Sequence, residues 1–171
     1  MLILTKVKLS MESSAKTAAK SGCVFCNIYK AKKDKILFQD DLTFAFYNKK
    51  KSVSDIHILV CPIVHIKNCS TLTKDNIDLL RHMQKVAEGV VAKLSPRSEY
   101  RFGYHKPPIN TVEHLHLHGI VLPIKSEFLS NLRYGKLLTP TETIIQEVEQ
   151  GKSLIEPKDD STKKPLVAPK K

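Results

Sequence analysis

His114-Leu115-His116-Leu117-His118 sets three imidazoles at alternate positions, followed by Gly119-Ile120-Val121-Leu122. On an extended strand successive side chains point to opposite faces, so the three histidines share one face while Leu115 and Leu117 enter the core. Each imidazole carries a donor and an acceptor that need partners, which makes three on one face costly to bury without a use. Near pH 7 the ring is readily neutral, and its free nitrogen can ligate a metal or attack phosphorus or an acyl carbon. Cys23-Val24-Phe25-Cys26 adds a second spacing with chemistry in it. Two thiolates so spaced can meet one tetrahedral ion, or the two cysteines are buried free thiols. With one such pair, zinc must recruit two histidines from elsewhere, and His57 and His65 flank an apolar run at its two ends. His82 and His105 fall in no pattern and are expected at the surface.

The elements that must carry these residues are short. Residues 36–38 and 42–46 read as two strands around the acidic turn Asp40-Asp41, and 56–60 as a third, closed by Pro62. From Thr73 the period changes: Ile77, Leu80, Met83, Ala87, Val90 and Leu94 recur every three or four residues, with Asp75 and Asp78 near the start. That spacing predicts an amphipathic helix with favourable charge at its N-terminus, stopped by Ser95-Pro96. Residues 100–104 and 113–122 are further strand candidates. Thr139-Pro140-Thr141-Glu142 has the form of a capping box, opening a last helix that ends before Gly151. One α+β domain on a mainly antiparallel sheet, with a long central helix and a C-terminal helix, is the simplest assembly.

A chain of 171 residues with 42% apolar composition suffices for one such domain. No apolar run approaches the roughly 20 residues of a membrane-spanning helix, so a transmembrane protein is excluded. Four unevenly spaced cysteines argue against a secreted disulfide scaffold and for reduced thiols, hence a cytoplasmic protein with the nucleus as a second location. The formal charge is +11, but residues 1–22 and 152–171 carry +3 each, more than half of it. Both stretches are rich in Lys, Ser, Thr or Pro. We expect disordered tails at 1–21 and 152–171 around a domain at 22–151, with solubilisation rather than nucleic-acid contact as their role.

In register, these pieces resemble the histidine triad (HIT) superfamily. The resemblance runs through Cys23-Val24-Phe25-Cys26-Asn27-Ile28, Phe38-Gln39-Asp40-Asp41, Phe44-Ala45-Phe46, His57-Ile58-Leu59-Val60 with Pro62 and His65-Ile66, and ends on the triplet, so it spans about residues 22–125. Gly103-Tyr104-His105-Lys106-Pro107-Pro108 and Phe128-Leu129-Ser130 are similar to the third branch of its Hint (histidine triad nucleotide-binding) proteins.

The resemblance implies the HIT fold and a hydrolase for purine nucleoside monophosphate derivatives, above all adenosine 5′-monophosphoramidates, with acyl or aminoacyl adenylates as further substrates. His116 matches the nucleophile that forms a nucleotidyl-histidine. His57 and His118 match imidazoles that donate to phosphate oxygens. Thr111 stands where serine is usual, near the phosphate and the leaving amine. Phe25, Ile28, Phe38 and Phe46 correspond to the purine slot, and Cys23, Cys26, His65 and His114 to a structural zinc quartet. Asn48 and Asn110 replace the usual aspartate and glutamine of the nucleotide site, and Lys49-Lys50-Lys51 and Pro107-Pro108 depart from the pattern around them. The lost carboxylate implies a weaker hold on ribose. A homodimer is implied as well. Two rivals stand beside this reading: an aprataxin-like hydrolase of 5′-adenylated nucleic acid, against which no Cys/His pair follows residue 118, and a nucleotide-binding interaction protein of low turnover.

Overall fold

The computed structural model describes residues 20–31, 33–48, 53–125 and 131–154. Most of both tails, Lys49 to Lys51 and Phe128 to Ser130 lie outside the described residues.

Strands β1 (Ile36–Gln39), β2 (Thr43–Tyr47), β3 (His57–Pro62), β4 (Tyr100–Gly103) and β5 (Leu117–Val121) form one sheet in the order β1-β2-β3-β5-β4, every pairing antiparallel. The β1-β2 turn is tied by Asp40, whose Oδ1 accepts from the amides of Leu42 at 2.8 Å and Thr43 at 2.7 Å. Alternation then sorts the side chains. Ala45, Ile58, Val60, Leu117 and Val121 join the main core, while Phe44, Phe46, Leu59 and Cys61 join a second cluster with Cys23, Phe25 and Cys26. Because Leu59 is paired with His118, the apolar second cluster and the catalytic-type histidines share one face of the sheet.

The main core is closed by α2 (Ile77–Leu94) and α3 (Thr141–Glu149). The apolar stripe expected from the sequence is the buried one: Leu80, Met83, Ala87 and Val91 of α2 are fully buried, as is Ile144 of α3. Burial of each large apolar chain is worth roughly 1.5–3 kcal/mol. The second face is covered by α1 (Val24–Ala31), which the sequence reading treated only as a cysteine motif. Among the described residues no helix is long and apolar enough to cross a membrane.

Three expectations need correction. The expected strand 113–122 is paired only from Leu117, because the segment before it bonds elsewhere, Leu115 N donating to Ile66 O at 2.7 Å. The capping box at Thr139 does not form. Pro140 precedes α3 without a side-chain cap, and the Thr141 hydroxyl instead donates to Gln84 Oε1 of α2 at 2.6 Å, tying the two helices together. His82 is half-buried rather than a free surface group, its Nε2 lying 2.7 Å from Asp40 Oδ2 and so fastening α2 to the β1-β2 turn.

Gly103 marks a close approach. A Cβ there would lie 2.7 Å from Thr139 O, against the segment that exchanges backbone bonds of 2.8 and 2.9 Å with Tyr104. Gly151 ends α3 at φ 64°, as its place in the sequence predicts.

Candidate active site

The first turn of α1 brings Cys23 and Cys26 to one edge of the second cluster, and His65 and His114 arrive from the segments after β3 and before β5. Their donor atoms all lie within 4.8 Å of one another. His114 Nδ1 is 3.3 Å from Cys23 Sγ and 3.5 Å from Cys26 Sγ, and His65 Nδ1 is 3.5 Å from Cys26 Sγ. A tetrahedral zinc with bonds of about 2.3 Å to sulfur and about 2.0 Å to nitrogen holds those atoms roughly 3.5 Å apart, so these three sulfur–nitrogen separations and the chemistry of the donor set fit this ion. Pro62 O, 3.0 Å from His114 Nε2, must accept a proton from it, which leaves Nδ1 with its lone pair toward the thiols. Burial lowers the pKa of His65 and holds His114 down to about 4, keeping both in the neutral form a ligand needs. Burial raises Cys26, with a Cys23 hydrogen bond adding to it. A divalent ion would reverse that shift.

His116 is oriented by the same segment. Its Nδ1 donates to His114 O at 2.7 Å, which fixes the tautomer and leaves Nε2 unprotonated. Burial depresses its pKa further, with the nearby Arg133 charge acting in the same sense after the opposing pull of the His114 carbonyl.

Behind it runs a chain of imidazoles whose direction is set at one end. Arg133 O can only accept, so His105 Nε2, at 3.1 Å, donates to it and His105 Nδ1 accepts. His118 Nε2 therefore donates to His105 at 3.0 Å, and His118 Nδ1 accepts from His57 Nε2 at 2.8 Å. Asn48 Nδ2 lies against the same ring, 3.5 Å from His57 Nδ1 and 3.4 Å from Nε2, and with Nε2 donating to His118 it is Nδ1 that can accept from it. Desolvation drives all three rings toward the neutral form, His57 to about 3, His105 to about 4 and His118 well below the usual histidine value.

The cleft in front of these groups has an apolar end made by Val24, Phe25 and Ile28 of α1 with Phe46 and Leu59 of the sheet, the Phe25 and Phe46 rings meeting edge-on at 5.3 Å. Its polar end is lined by His116, His118, His105, Thr111, Arg133 and Tyr134, with Asn48 also on the wall. Phe25, Ile28, Phe46, Asn48, Thr111, His116 and His118 thus meet in one cavity. Three expected residues do not line it. Phe38 packs against the main core, because the register of β1 shifts between Ile36 and Phe38 and sets Phe38 opposite Ala45, whereas Ile36 faces Phe46 and the second cluster. Asn110 turns away to donate to Glu113 Oε1 at 2.7 Å. His57 lies behind His118 rather than on the wall, its Nε2 spent on that neighbour.

His105, expected at the surface, is 4% exposed and forms the link between His118 and Arg133. Its position in Gly103-Tyr104-His105, two residues beyond the end of β4, which runs antiparallel to the triplet strand, was the available signal. Arg133 and Tyr134 gave none: they reach the cleft from a short π-helical turn, Leu132–Lys136, with no periodicity to mark it.

Comparison with known proteins places this arrangement. Residues 22–134 match the family described as scavenger mRNA decapping enzyme C-term binding. Over 117 residues the chain is 33% identical to adenosine 5′-monophosphoramidase HINT3 of Xenopus tropicalis, covering 66% of this chain and 76% of that protein. It is 38% identical over 105 residues to the bifunctional adenosine 5′-phosphosulfate phosphorylase/adenylylsulfatase HINT4 of Arabidopsis thaliana, covering 60% of this chain and 71% of the relative. Among solved structures, a HIT family hydrolase from Clostridium thermocellum superposes with a TM-score of 0.56 at 25% identity, covering 64% of this chain and 98% of that one. The order of cysteine pair, lone histidines and triplet, the five-stranded sheet that carries them and these matches agree, and the chain belongs to the histidine triad superfamily.

Proposed function

We propose that the protein is a nucleotide hydrolase that cleaves the P–N bond of adenosine 5′-monophosphoramidates, and that acyl and aminoacyl adenylates are further substrates. The observation that carries this reading is the tautomer of His116: a buried, neutral imidazole pinned through Nδ1 offers its Nε2 lone pair to a cleft with an apolar slot at one end. The purine lies between Phe25, Ile28, Phe46 and Leu59, with Asn48 toward the ribose. Nε2 of His116 attacks the α-phosphorus, the P–N bond breaks, and the Thr111 hydroxyl passes a proton to the departing amine. Water then attacks the nucleotidyl-histidine, its oxygen going to phosphorus and its proton restoring the one given up, which yields AMP and free His116. His57, His105 and His118 act as positioning residues, holding one polarised chain against the site. Cys23, Cys26, His65 and His114 are proposed to hold one zinc. With all four positions taken by protein, the ion would supply folding energy and no open ligand position for chemistry.

The test is turnover of adenosine phosphoramidate beside 5′-adenylated DNA. Wild type should hydrolyse the former preferentially, and His116→Ala should lose activity by orders of magnitude, since removal of a covalent nucleophile closes the main route. Preference for the adenylated DNA, or a His116→Ala variant within about tenfold of wild type, overturns the reading.

A further inference from the structure

The wall of the cleft carries one formal charge among its described residues. Arg133 provides it, and no carboxylate lines the cavity. Glu113, next to the lining residue Val112, is engaged by Asn68, Asn110 and Lys67. Arg133 is fixed in three ways: its Nη2 donates to Ile109 O at 2.7 Å, its Cζ sits 5.9 Å from the Tyr134 ring centre, and its backbone carbonyl holds His105. A guanidinium has five N–H donors, so the Ile109 bond leaves most of its fork unspent. Its charge acts on His116, His118 and His105, which places it at the polar end and away from the apolar slot. Ile109 is two residues from Thr111, the residue given above to the leaving amine. Thr111 and Arg133 line the same polar end of the cleft as His116, within which the departing amine must leave.

We propose that Arg133 is a specificity-determining residue that binds an anion on the leaving group, so that the preferred substrates are AMP phosphoramidates whose amine carries a carboxylate. This rests on the P–N reading above and narrows it to a substrate class. A planar fork pairs a carboxylate through two charge-assisted bonds, which a neutral amide cannot match.

A matched pair of probes tests it: AMP joined through nitrogen to glycine, and AMP joined to glycinamide, which differ only in the carboxylate. We expect wild type to favour the glycine conjugate about tenfold in kcat/KM, and about tenfold in affinity measured by calorimetry on a His116→Asn variant. Arg133→Gln keeps a donor for Ile109 O and the carbonyl for His105, and should bring both ratios near one. Arg133→Lys should retain part of the preference. A wild-type ratio of one, a ratio unchanged in Arg133→Gln, or an equal loss on both probes, as from a contact to the α-phosphate, overturns the proposal. Failure of wild type to hydrolyse either probe would sink the P–N reading alone, since the affinity ratio still decides the role of Arg133.

Discussion

Acidification from pH 7 to 5 should destabilise the fold by several kcal/mol through the histidine chain. In an unfolded chain His57, His105 and His118 titrate near pH 6.5. In the fold, His57 is held down to about 3 and His105 to about 4, and His118, enclosed between them, lies well below the usual value. Desolvation leads in each case, and the rings repel one another's charge. The depressed values mean that the fold favours the neutral rings. Their contribution is fully present above pH 6.5 and is lost as pH falls toward the folded-state values. Between pH 7 and 5 the unfolded state takes up nearly one proton per ring and the folded state almost none. Linkage then gives about 2 kcal/mol for each of His57 and His105, about 4 kcal/mol together, with His118 adding in the same direction, against a total stability on the order of 5–15 kcal/mol for a domain. Urea unfolding at pH 7, 6 and 5 reads the loss directly. His105→Gln isolates it from the cysteine-histidine quartet, because a carboxamide can still donate to Arg133 O and accept from His118 but does not titrate. That variant should show a shallower dependence by about one proton. A stability that stays level from pH 7 to 5, or a slope unchanged by His105→Gln, refutes the directed chain.

Protein purified without chelator should contain about one zinc per chain, and Cys26→Ser should lose the metal and melt several degrees lower; metal-free protein with an unchanged melting temperature would leave the cysteines as buried thiols. The acid limb of turnover should fall below the ordinary histidine range, since burial depresses the His116 pKa; a limb centred on pH 6.5 contradicts the burial of the nucleophile. Asn48→Asp should tighten AMP by about 1 kcal/mol, roughly fivefold, and its 2′-deoxy form less, because a carboxylate makes stronger bonds to ribose hydroxyls; equal gains in calorimetry, or none, would show that residue 48 serves His57 and not the sugar. Gly103→Ala places a methyl 2.7 Å from Thr139 O, so unfolding free energy should drop by about 1–3 kcal/mol; a drop under roughly 0.5 kcal/mol would mean that the 138–139 segment yields freely.

The sheet and the two longer helices were legible because their patterns are local: alternation along 42–46 and 56–60, and a helical period from Ile77 to Leu94. The donor quartet followed once the resemblance supplied the histidines to set beside the cysteine pair. Side-chain direction was harder to read. Strict alternation put His114, His116 and His118 on one face, yet β5 starts at Leu117, so the three rings serve different ends: the quartet, the cleft and the chain behind it. His105 escaped because a lone histidine has no pattern of its own. Its partners are 13 and 28 residues away in sequence and meet it only through the β4-β5 pairing and the turn at Leu132–Lys136. Phe38 erred in the opposite direction. Its spacing matched, but the register shift between Ile36 and Phe38 turns its ring to the other face of the sheet, opposite Ala45.

His114 joins the two halves of the site, the donor quartet and the proposed nucleophile His116. Its ring bonds Pro62 O through Nε2, and its Nδ1 faces the two thiols. Its main-chain carbonyl is the acceptor that fixes the proton on His116 Nδ1. Without that acceptor the proton could sit on either nitrogen, and only the Nδ1–H tautomer presents a lone pair at Nε2. That carbonyl lies in a segment not yet paired into the sheet, and the Leu115 amide of the same peptide unit is tied to Ile66 O at 2.7 Å. The ring of His114 is fully buried, with Pro62 O on one side and the two thiols on the other, so ring and backbone are both held at this residue. On the proposed reading, the donor set and the attacking ring are one peptide carbonyl apart, the carbonyl of His114 that accepts from His116 Nδ1.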